Sequence, residues 1–229
     1  MRINKYLALN AEFSRRQADA LIKDGKVKIN NRVAELGEQI KKNDKIFINN
    51  KKITGKKYVY LAYNKPKGVV SSSPHRGQTS IIQILRYSTK VHPVGRLDKD
   101  STGLIILTND PRLTEAILHW EKEYVVTINR VVKNDFLENM QAGLVIPITL
   151  SDPRTGEERK ISYKTKPAKV KKFGPKKFSI ILTEGKKRQI RMMCQALGYH
   201  VVSLKRTRIG KIKLDNLGEG EYKEIKNLP

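Results

Sequence analysis

The chain has 229 residues, room for one large domain or for a medium and a small one, and its 38% apolar residues suffice for a core. Lys and Arg total 47 against 22 Asp and Glu, a net charge of +25, and a soluble chain so basic calls for a polyanionic partner, nucleic acid first of all. No apolar run approaches the roughly 18 residues of a bilayer span, no hydrophobic signal segment opens the chain, and the single cysteine, Cys194, rules out an internal disulfide and a cysteine-built zinc site, so a reducing, cytoplasmic setting and no membrane partner are expected.

Ile3 and Leu7 stand at helical spacing and predict a short first helix over 2–9. A second is predicted over 14–24, with Ser14 as N-cap, Gln17 completing a capping box, Ala18, Leu21 and Ile22 as the apolar stripe, and Gly25 as the stop. Arg15 and Arg16 occupy its first turn, where the helix dipole disfavours cations by about 0.3–1 kcal/mol each. A sequence chosen for helix stability alone would place acids there, so phosphate binding is the better reason for them. Strands are predicted at Lys26–Ile29, with Lys26 and Lys28 on the wet face, at Arg32–Ala34 after an Asn30-Asn31 turn, and at Lys45–Ile48, with an Asn-Asn-Lys-Lys turn after it. The first 57 residues carry a net +9 and the remaining 172 a net +16, so charge density is nearly twice as high at the start. This predicts a small nucleic-acid-binding module, 1–57, ahead of a larger domain, 58–229.

In the larger part, Tyr58–Ala62 reads as a strand running into Asn64-Lys-Pro-Lys-Gly68, and Ile81–Leu85 has helical spacing. Gly95 and Gly103 bracket a polar loop, followed by Leu104–Leu107, which has the bulk of a buried strand. Asp110-Pro111 starts a helix with Leu113, Ile117 and Leu118 inside. Glu123–Ile128 alternates as a strand that puts Tyr124, Val126 and Ile128 on one side, and a helix is predicted over 134–141. Lys177–Thr183 is a strand. In the helix that follows, Ile190, Met193, Cys194 and Leu197 form a core face and Arg188, Arg191 and Gln195 another, with Lys186, Lys187 and Arg188 as cations at its N-terminus. Val201–Leu204 and Lys211–Leu214 are the final strands.

Chemistry has few places to reside. Asp98 and Asp100 are spaced like magnesium ligands, yet no third acid or histidine cluster is near them, and the histidines are scattered at 75, 92, 119 and 200. No glycine-rich phosphate loop occurs, and no serine has a visible histidine and acid partner. Asp98 could equally be a turn former. Three readings follow from the residues: an enzyme acting on RNA through Asp98, a non-catalytic ribosome-binding or assembly factor, and a metal-dependent nuclease or phosphotransferase using Asp98 and Asp100.

Ile3-Asn-Lys-Tyr-Leu7, Phe13-Ser-Arg-Arg-Gln17 and Asp24-Gly-Lys-Val-Lys-Ile-Asn30 resemble the αL RNA-binding motif, which implies that Arg15, Arg16, Lys23 and Lys28 grip structured RNA by shape and phosphate. Gly95-Arg-Leu-Asp-Lys-Asp-Ser-Thr-Gly-Leu-Ile-Ile-Leu-Thr-Asn-Asp110 is similar to the catalytic motif of the RsuA-type ribosomal RNA pseudouridine synthases. The resemblance continues through Leu61–Gly68, Glu121–Val126, Glu184–Met193 and Ser203–Gly210, and its wording is nearest the F-type members, which act on large-subunit RNA.

The resemblance implies an α+β fold with a mixed, largely antiparallel sheet, a cleft over Asp98, no cofactor or metal, a ribosomal RNA substrate and a monomeric enzyme. Asp98 would be the catalytic aspartate, attacking the uracil ring or the ribose. Tyr124 would stack on the base and help remove its proton. Arg191 would pair with Asp98 and keep it ionised, Arg96 would fill the gap left by the flipped nucleotide or hold its phosphate, and Leu204 would line the pocket. Lys65, Lys187 and Arg188 complete the expected RNA contacts. Met192 stands where the family commonly has a second basic residue, and Asp110-Pro111 replaces a usual glycine.

Overall fold

The computed structural model describes residues 1–11, 13–55, 57–71, 74–151 and 155–226, without the side chains of Glu115, Leu118 and Ser151. It divides into two compact units, Met1–Tyr58 and Val59–Pro229.

In the first unit, α1 (Ile3–Asn10) and α2 (Arg15–Lys23) precede four short strands, β1 (Val27–Ile29), β2 (Arg32–Val33), β3 (Ile46–Ile48) and β4 (Lys51–Lys52), paired antiparallel in the order β2-β1-β3-β4. The Ser14 hydroxyl accepts from the Gln17 N–H and the Gln17 side chain accepts from the Ser14 N–H, so the expected capping box is formed. Asn49 and Asn50, both at positive φ, close the two-residue turn between β3 and β4, the backbone that a tight hairpin requires. Ile3, Leu7, Ala18, Ile22, Val27, Ile29, Ile46 and Ile48 make the core.

The second unit contains β5 (Tyr60–Lys65), α3 (Ile81–Ile84), β6 (His92–Val94), β7 (Thr102–Thr108), α4 (Arg112–Leu118), β8 (Lys122–Ile128), α5 (Asn134–Ala142), β9 (Val145–Ser151), β10 (Glu158–Lys164), β11 (Lys169–Gly174), β12 (Lys177–Leu182), α6 (Gln189–Ala196), β13 (Val201–Ile209), β14 (Ile212–Lys213) and β15 (Tyr222–Glu224). Among the described residues a nine-stranded sheet runs β11-β12-β8-β13-β7-β5-β15, with β14 on β13 and β6 on β7, and in it only the β13–β7 pair is parallel. The fold is thus α+β with a mixed, largely antiparallel sheet. Ile105 and Leu107 of β7 face a core shared with α5 and α6, while Leu104 and Ile106 face a second cluster closed by Leu113 and Ile117 of α4. Burial on both faces explains the unbroken apolar run. Gly103, at φ +102°, sits where β7 meets β13, and a Cβ there would lie 2.2 Å from the Arg206 carbonyl oxygen. Only glycine lets these two backbones approach so closely.

Several elements differ from the sequence expectation. The hairpin β9–β10 and the strand β11 carry no simple alternation: β9 contains Pro147, β10 is exposed along almost its whole length, and β11 turns lysines outward around a single buried Val170. β13 continues five residues past Leu204, because Arg206, although charged, is buried and donates from Nε to the Leu104 carbonyl at 2.7 Å. α4 begins at Arg112, not at Pro111, but the Asp110 carboxylate still accepts from the Arg112 N–H at 3.0 Å as a cap would. Leu113 and Ile117 are buried on α4, and the Leu118 side chain lies outside the described residues. α6 starts at Gln189, so Lys186, Lys187 and Arg188 precede the helix instead of forming its first turn.

Candidate active site

The loop from Gly95 to Ser101 is held at three points before it presents any side chain. The Ser71 hydroxyl, buried, both accepts from the Leu97 N–H at 3.0 Å and donates to the Leu97 carbonyl at 2.9 Å. Two residues on, the Lys99 carbonyl accepts from the Gly68 N–H at 2.9 Å and from the Lys65 ammonium at 3.3 Å. The Ser101 N–H then donates to the Asp98 carbonyl at 3.0 Å, closing a turn. Backbone anchoring on both sides of Asp98 fixes its Cα, and the carboxylate, 32% exposed, projects outward.

Two guanidiniums face it. Arg188 Nη1 is 3.7 Å and Arg191 Nε is 3.9 Å from the same Asp98 oxygen, Oδ2. Arg191 is the more enclosed, its side chain only 13% exposed, and it spans the site: Nη1 donates to the Val201 carbonyl at 3.3 Å and Nη2 reaches the Asp100 carbonyl and the Ser101 hydroxyl at 3.5 Å. Its Nε is buried without a hydrogen-bond partner among the described residues. The group it faces is the Asp98 carboxylate, 3.9 Å away. Arg188 is half-exposed and is held in the left-handed region, φ 56°, as the cap of α6.

The segment that aims Arg188 is pinned by Glu184. Its carboxylate accepts from the Tyr163 hydroxyl at 2.6 Å, the Lys166 N–H at 3.0 Å and the Gln189 amide at 2.6 Å. Burial pushes this carboxyl up, but the hydrogen bonds from Tyr163, Lys166 and Gln189 outweigh it and hold the group below its ordinary range. The Lys186 ammonium lies 4.5 Å above the Tyr163 ring. Sequence reasoning missed both Glu184 and the pairing of Arg188 with Asp98. Glu184 had a signal, being the one acid between Lys160 and Arg191.

Of the other expected residues, Tyr124 and Leu204 are buried, 8% and 7% exposed, in the core cluster that contains Leu97 and Ile190. Arg96 and Lys187 are exposed. Lys65 requires a correction. Expected to bind RNA, it is fully buried, and its ammonium donates to the carbonyls of Pro66 at 2.8 Å, Val69 at 2.7 Å and Lys99. All its donors are spent on the backbone, so it builds the loop and does not touch a ligand. Met192 packs partly buried against the core. Arg15, Arg16 and Lys23 are exposed in the first unit, and Lys28 donates to Asn50 at 3.0 Å. Among the described residues, no three His, Cys, Asp or Glu side chains converge on a metal-binding arrangement. Two clefts, of about 410 and 480 Å3, are lined by residues of β8, β13 and their loops and do not include Asp98.

Residues 59–196 match the RNA pseudouridylate synthase family, and residues 1–46 match the S4 domain. The chain is 38% identical over 232 residues to the dual-specificity RNA pseudouridine synthase RluF of Escherichia coli, an alignment covering 98% of this chain and 75% of that one. It is 34% identical to the ribosomal small subunit pseudouridine synthase A of Haemophilus influenzae and 32% identical to the ribosomal large subunit pseudouridine synthase B of Bacillus subtilis, again over 98% of this chain and over 96% and 91% of theirs. A crystal structure of a pseudouridylate synthase, 31% identical, superposes with a TM-score of 0.66 over 99% of this chain and 96% of its own.

Proposed function

The chain belongs to the RNA pseudouridylate synthase family and carries an S4 domain ahead of its synthase domain, and from that premise we propose that it converts a specific uridine of large-subunit ribosomal RNA to pseudouridine, with Asp98 initiating the reaction. The observation that carries this reading is the Asp98 carboxylate, set on a loop clamped on both sides and faced by Arg188 and Arg191.

The isomerisation conserves every atom. The C1′–N1 bond breaks, a C1′–C5 bond forms, C5 loses its proton and N1 gains one. Between these events the detached uracil has to turn without leaving. Asp98 supplies the nucleophilic oxygen, toward the ribose or the uracil ring. The carbon–oxygen bond it forms breaks again before product leaves, as C5 displaces it from C1′ or as it is eliminated from the ring, which regenerates the carboxylate. Arg191 and Arg188 balance its charge and hold the carboxylate in one direction, a preorganisation that water would not supply. Tyr124 provides a flat face for the base and a proton acceptor, with Leu204 beside it as an apolar wall. The target nucleotide has to leave its stack, at a cost of a few kcal/mol, and exposed Arg96 next to the loop fills its place or holds its phosphate. Arg15, Arg16, Lys23 and Lys28 of the S4 domain, with Lys187, hold the surrounding folded RNA by its phosphates.

The large-subunit assignment is supported by the motif wording and by the Bacillus subtilis relative; a second relative is named for the small subunit, so the test covers both. Pseudouridines are mapped in both ribosomal RNAs with the gene deleted, restored, and restored as Asp98→Asn. One uridine, in the large-subunit RNA, is expected to lose its modification in the deletion and in Asp98→Asn, while the purified variant keeps its RNA affinity. Modification restored by Asp98→Asn would reject the catalytic role.

A further inference from the structure

The sheet of the synthase domain has two faces, and half of one joins no core cluster among the described residues. On β8, Tyr124, Val126 and Ile128 point into the core beneath α5 and α6, so Glu123, Val125 and Thr127 point the other way. The same alternation places Phe178, Ile180 and Leu182 of β12 inside and Lys177, Ser179 and Ile181 outside. α4 covers the β7 end of this outer face by packing Leu113 and Ile117 on Leu104 and Ile106. On the outer face of β8, β12 and β11 no side chain joins a core cluster among the described residues, and on β13 Ile209, at the strand's end, joins the cluster of α4.

The strand register sets lysines along that end. Lys171 of β11 pairs with Ser179 of β12, Ser179 with Val125 of β8, and Val125 with Lys205 of β13, which makes one row across four strands. Lys169 stands one row to one side, opposite Ile181, and Lys177 one row to the other, opposite Thr127. All four lysines are exposed and have no ion pair among the described residues. The acids nearby are already neutralised: Glu123 by Arg208 at 2.8 Å and Asp215 by Lys223 at 2.7 Å. A cleft of about 480 Å3 ends the row, where Lys205 and Lys213 meet Val125 and Glu123. At the β11 edge the Phe173 ring is 67% exposed.

Charge and shape here select one kind of occupant. Strands about 4.8 Å apart put Lys171 and Lys205 on the order of 14 Å from each other, with only small or β-branched side chains between them. A flat floor rimmed by ammonium groups fits a sugar–phosphate backbone, and an exposed aromatic at its margin stacks a base. A basic surface without a role would be expected to carry acids among its lysines and no bare phenyl ring. We propose that this outer sheet face, opposite the one that carries Tyr124, is a second RNA-docking surface, and that it holds a single-stranded segment of the substrate RNA flanking the target through phosphate contacts to Lys169, Lys171, Lys177 and Lys205 and stacking on Phe173. The proposal rests on the ribosomal RNA reading for the identity of the RNA, not for the existence of the surface.

The full chain tests it, with unmodified ribosomal RNA transcripts as the probe. The triple variant Lys169→Ala, Lys171→Ala, Lys205→Ala is compared with Lys90→Ala, Lys133→Ala, Lys226→Ala, three exposed lysines elsewhere in the same unit. Binding is measured across a salt series. The first variant is expected to bind at least about tenfold more weakly at 0.15 M salt and to lower the slope of log K against log salt by about 2, since each lost phosphate contact removes about 0.7 on a single strand. Phe173→Ala is expected to weaken binding by about fivefold or more. Single-turnover conversion at saturating enzyme stays within about twofold for both. An unchanged slope, an equal loss in the control variant, or equal competition by polyglutamate at matched charge overturns the proposal, as does a collapse of single-turnover rate with binding intact. A wild-type protein that binds as described yet modifies no uridine would strike the reaction assigned above and leave the docking surface standing.

Discussion

Arg188 brings its guanidinium to 3.7 Å from the Asp98 carboxylate while its own backbone sits in the left-handed region, at φ 56°. A residue with a Cβ costs about 1–2 kcal/mol there, and glycine would remove that cost. The position therefore separates what the fold prefers from what the site uses. Arg188→Gly is expected to melt a few °C above Arg188→Ala, at about 2–4 °C per kcal/mol for a domain of this size, while both lower kcat about tenfold because Asp98 keeps only Arg191. Calorimetry and single-turnover rates on the two variants check this, and equal melting points would show that the strain is not there.

Glu184 holds three donors that converge from β10, the turn after it and α6. Glu184→Ala leaves them without their acceptor and is expected to cost about 2 kcal/mol. It should also lower kcat more than it raises KM, since the segment that carries Arg188 loses its anchor. The carboxyl is held below its ordinary value of 4.5, so the native state binds fewer protons than the unfolded chain as pH falls. Its contribution is complete above about pH 4.5 and disappears as pH drops through the lower folded value. The stability gap between wild type and Glu184→Gln should therefore close on acidification, as read by denaturant midpoints.

Lys65 works through the backbone. Lys65→Met leaves the Pro66, Val69 and Lys99 carbonyls short of a donor and is expected to cost about 3 kcal/mol. Burial lowers the ammonium's pKa to about 8, with Asp100 and Asp98 pulling weakly the other way. Between about pH 8 and the ordinary 10.5 the unfolded chain holds the proton that the folded chain has released, so stability from this group rises with pH across that window and is flat below it. The gap between wild type and Lys65→Met should widen from pH 8 to 10. A gap independent of pH would contradict the assignment. Lys122, also lowered to about 8 by burial, is common to both proteins and cancels.

Gly103 joins the Asp98 loop to the parallel strand pair. Gly103→Ala sets a Cβ 2.2 Å from the Arg206 carbonyl in a backbone at φ +102°, and is expected to cost about 3 kcal/mol or more. The measurement is a denaturant titration together with pseudouridine formation at a temperature where the variant stays folded. Activity should fall beyond the loss of folded protein, because the clash falls within a few residues of Ser101 and Asp98.

Local pattern makes much of the fold legible. The capping box at Ser14 and Gln17, the two-sided burial of Leu104–Leu107 and the alternation around Tyr124 depend only on neighbours a few residues away. β11 is hidden because three of its side chains are lysines facing solvent, and charged residues on an open face look like loop. Lys65 misleads for a related reason: lysine is rarely buried, and only the three carbonyls around it make burial tolerable.

Composition and contiguous stretches are enough to establish the charge of the partner, the order of two modules and the loop on which Asp98 stands. They do not establish what surrounds Asp98. Arg188 and Arg191 come from about ninety residues further along the chain, and no periodicity reports a contact across that distance. The parallel pairing of β7 with β13, made possible by Gly103, and the Glu184 anchor at the start of α6 bring them there. Long-range ion pairs are consequences of packing, and packing is settled only when the whole sheet closes.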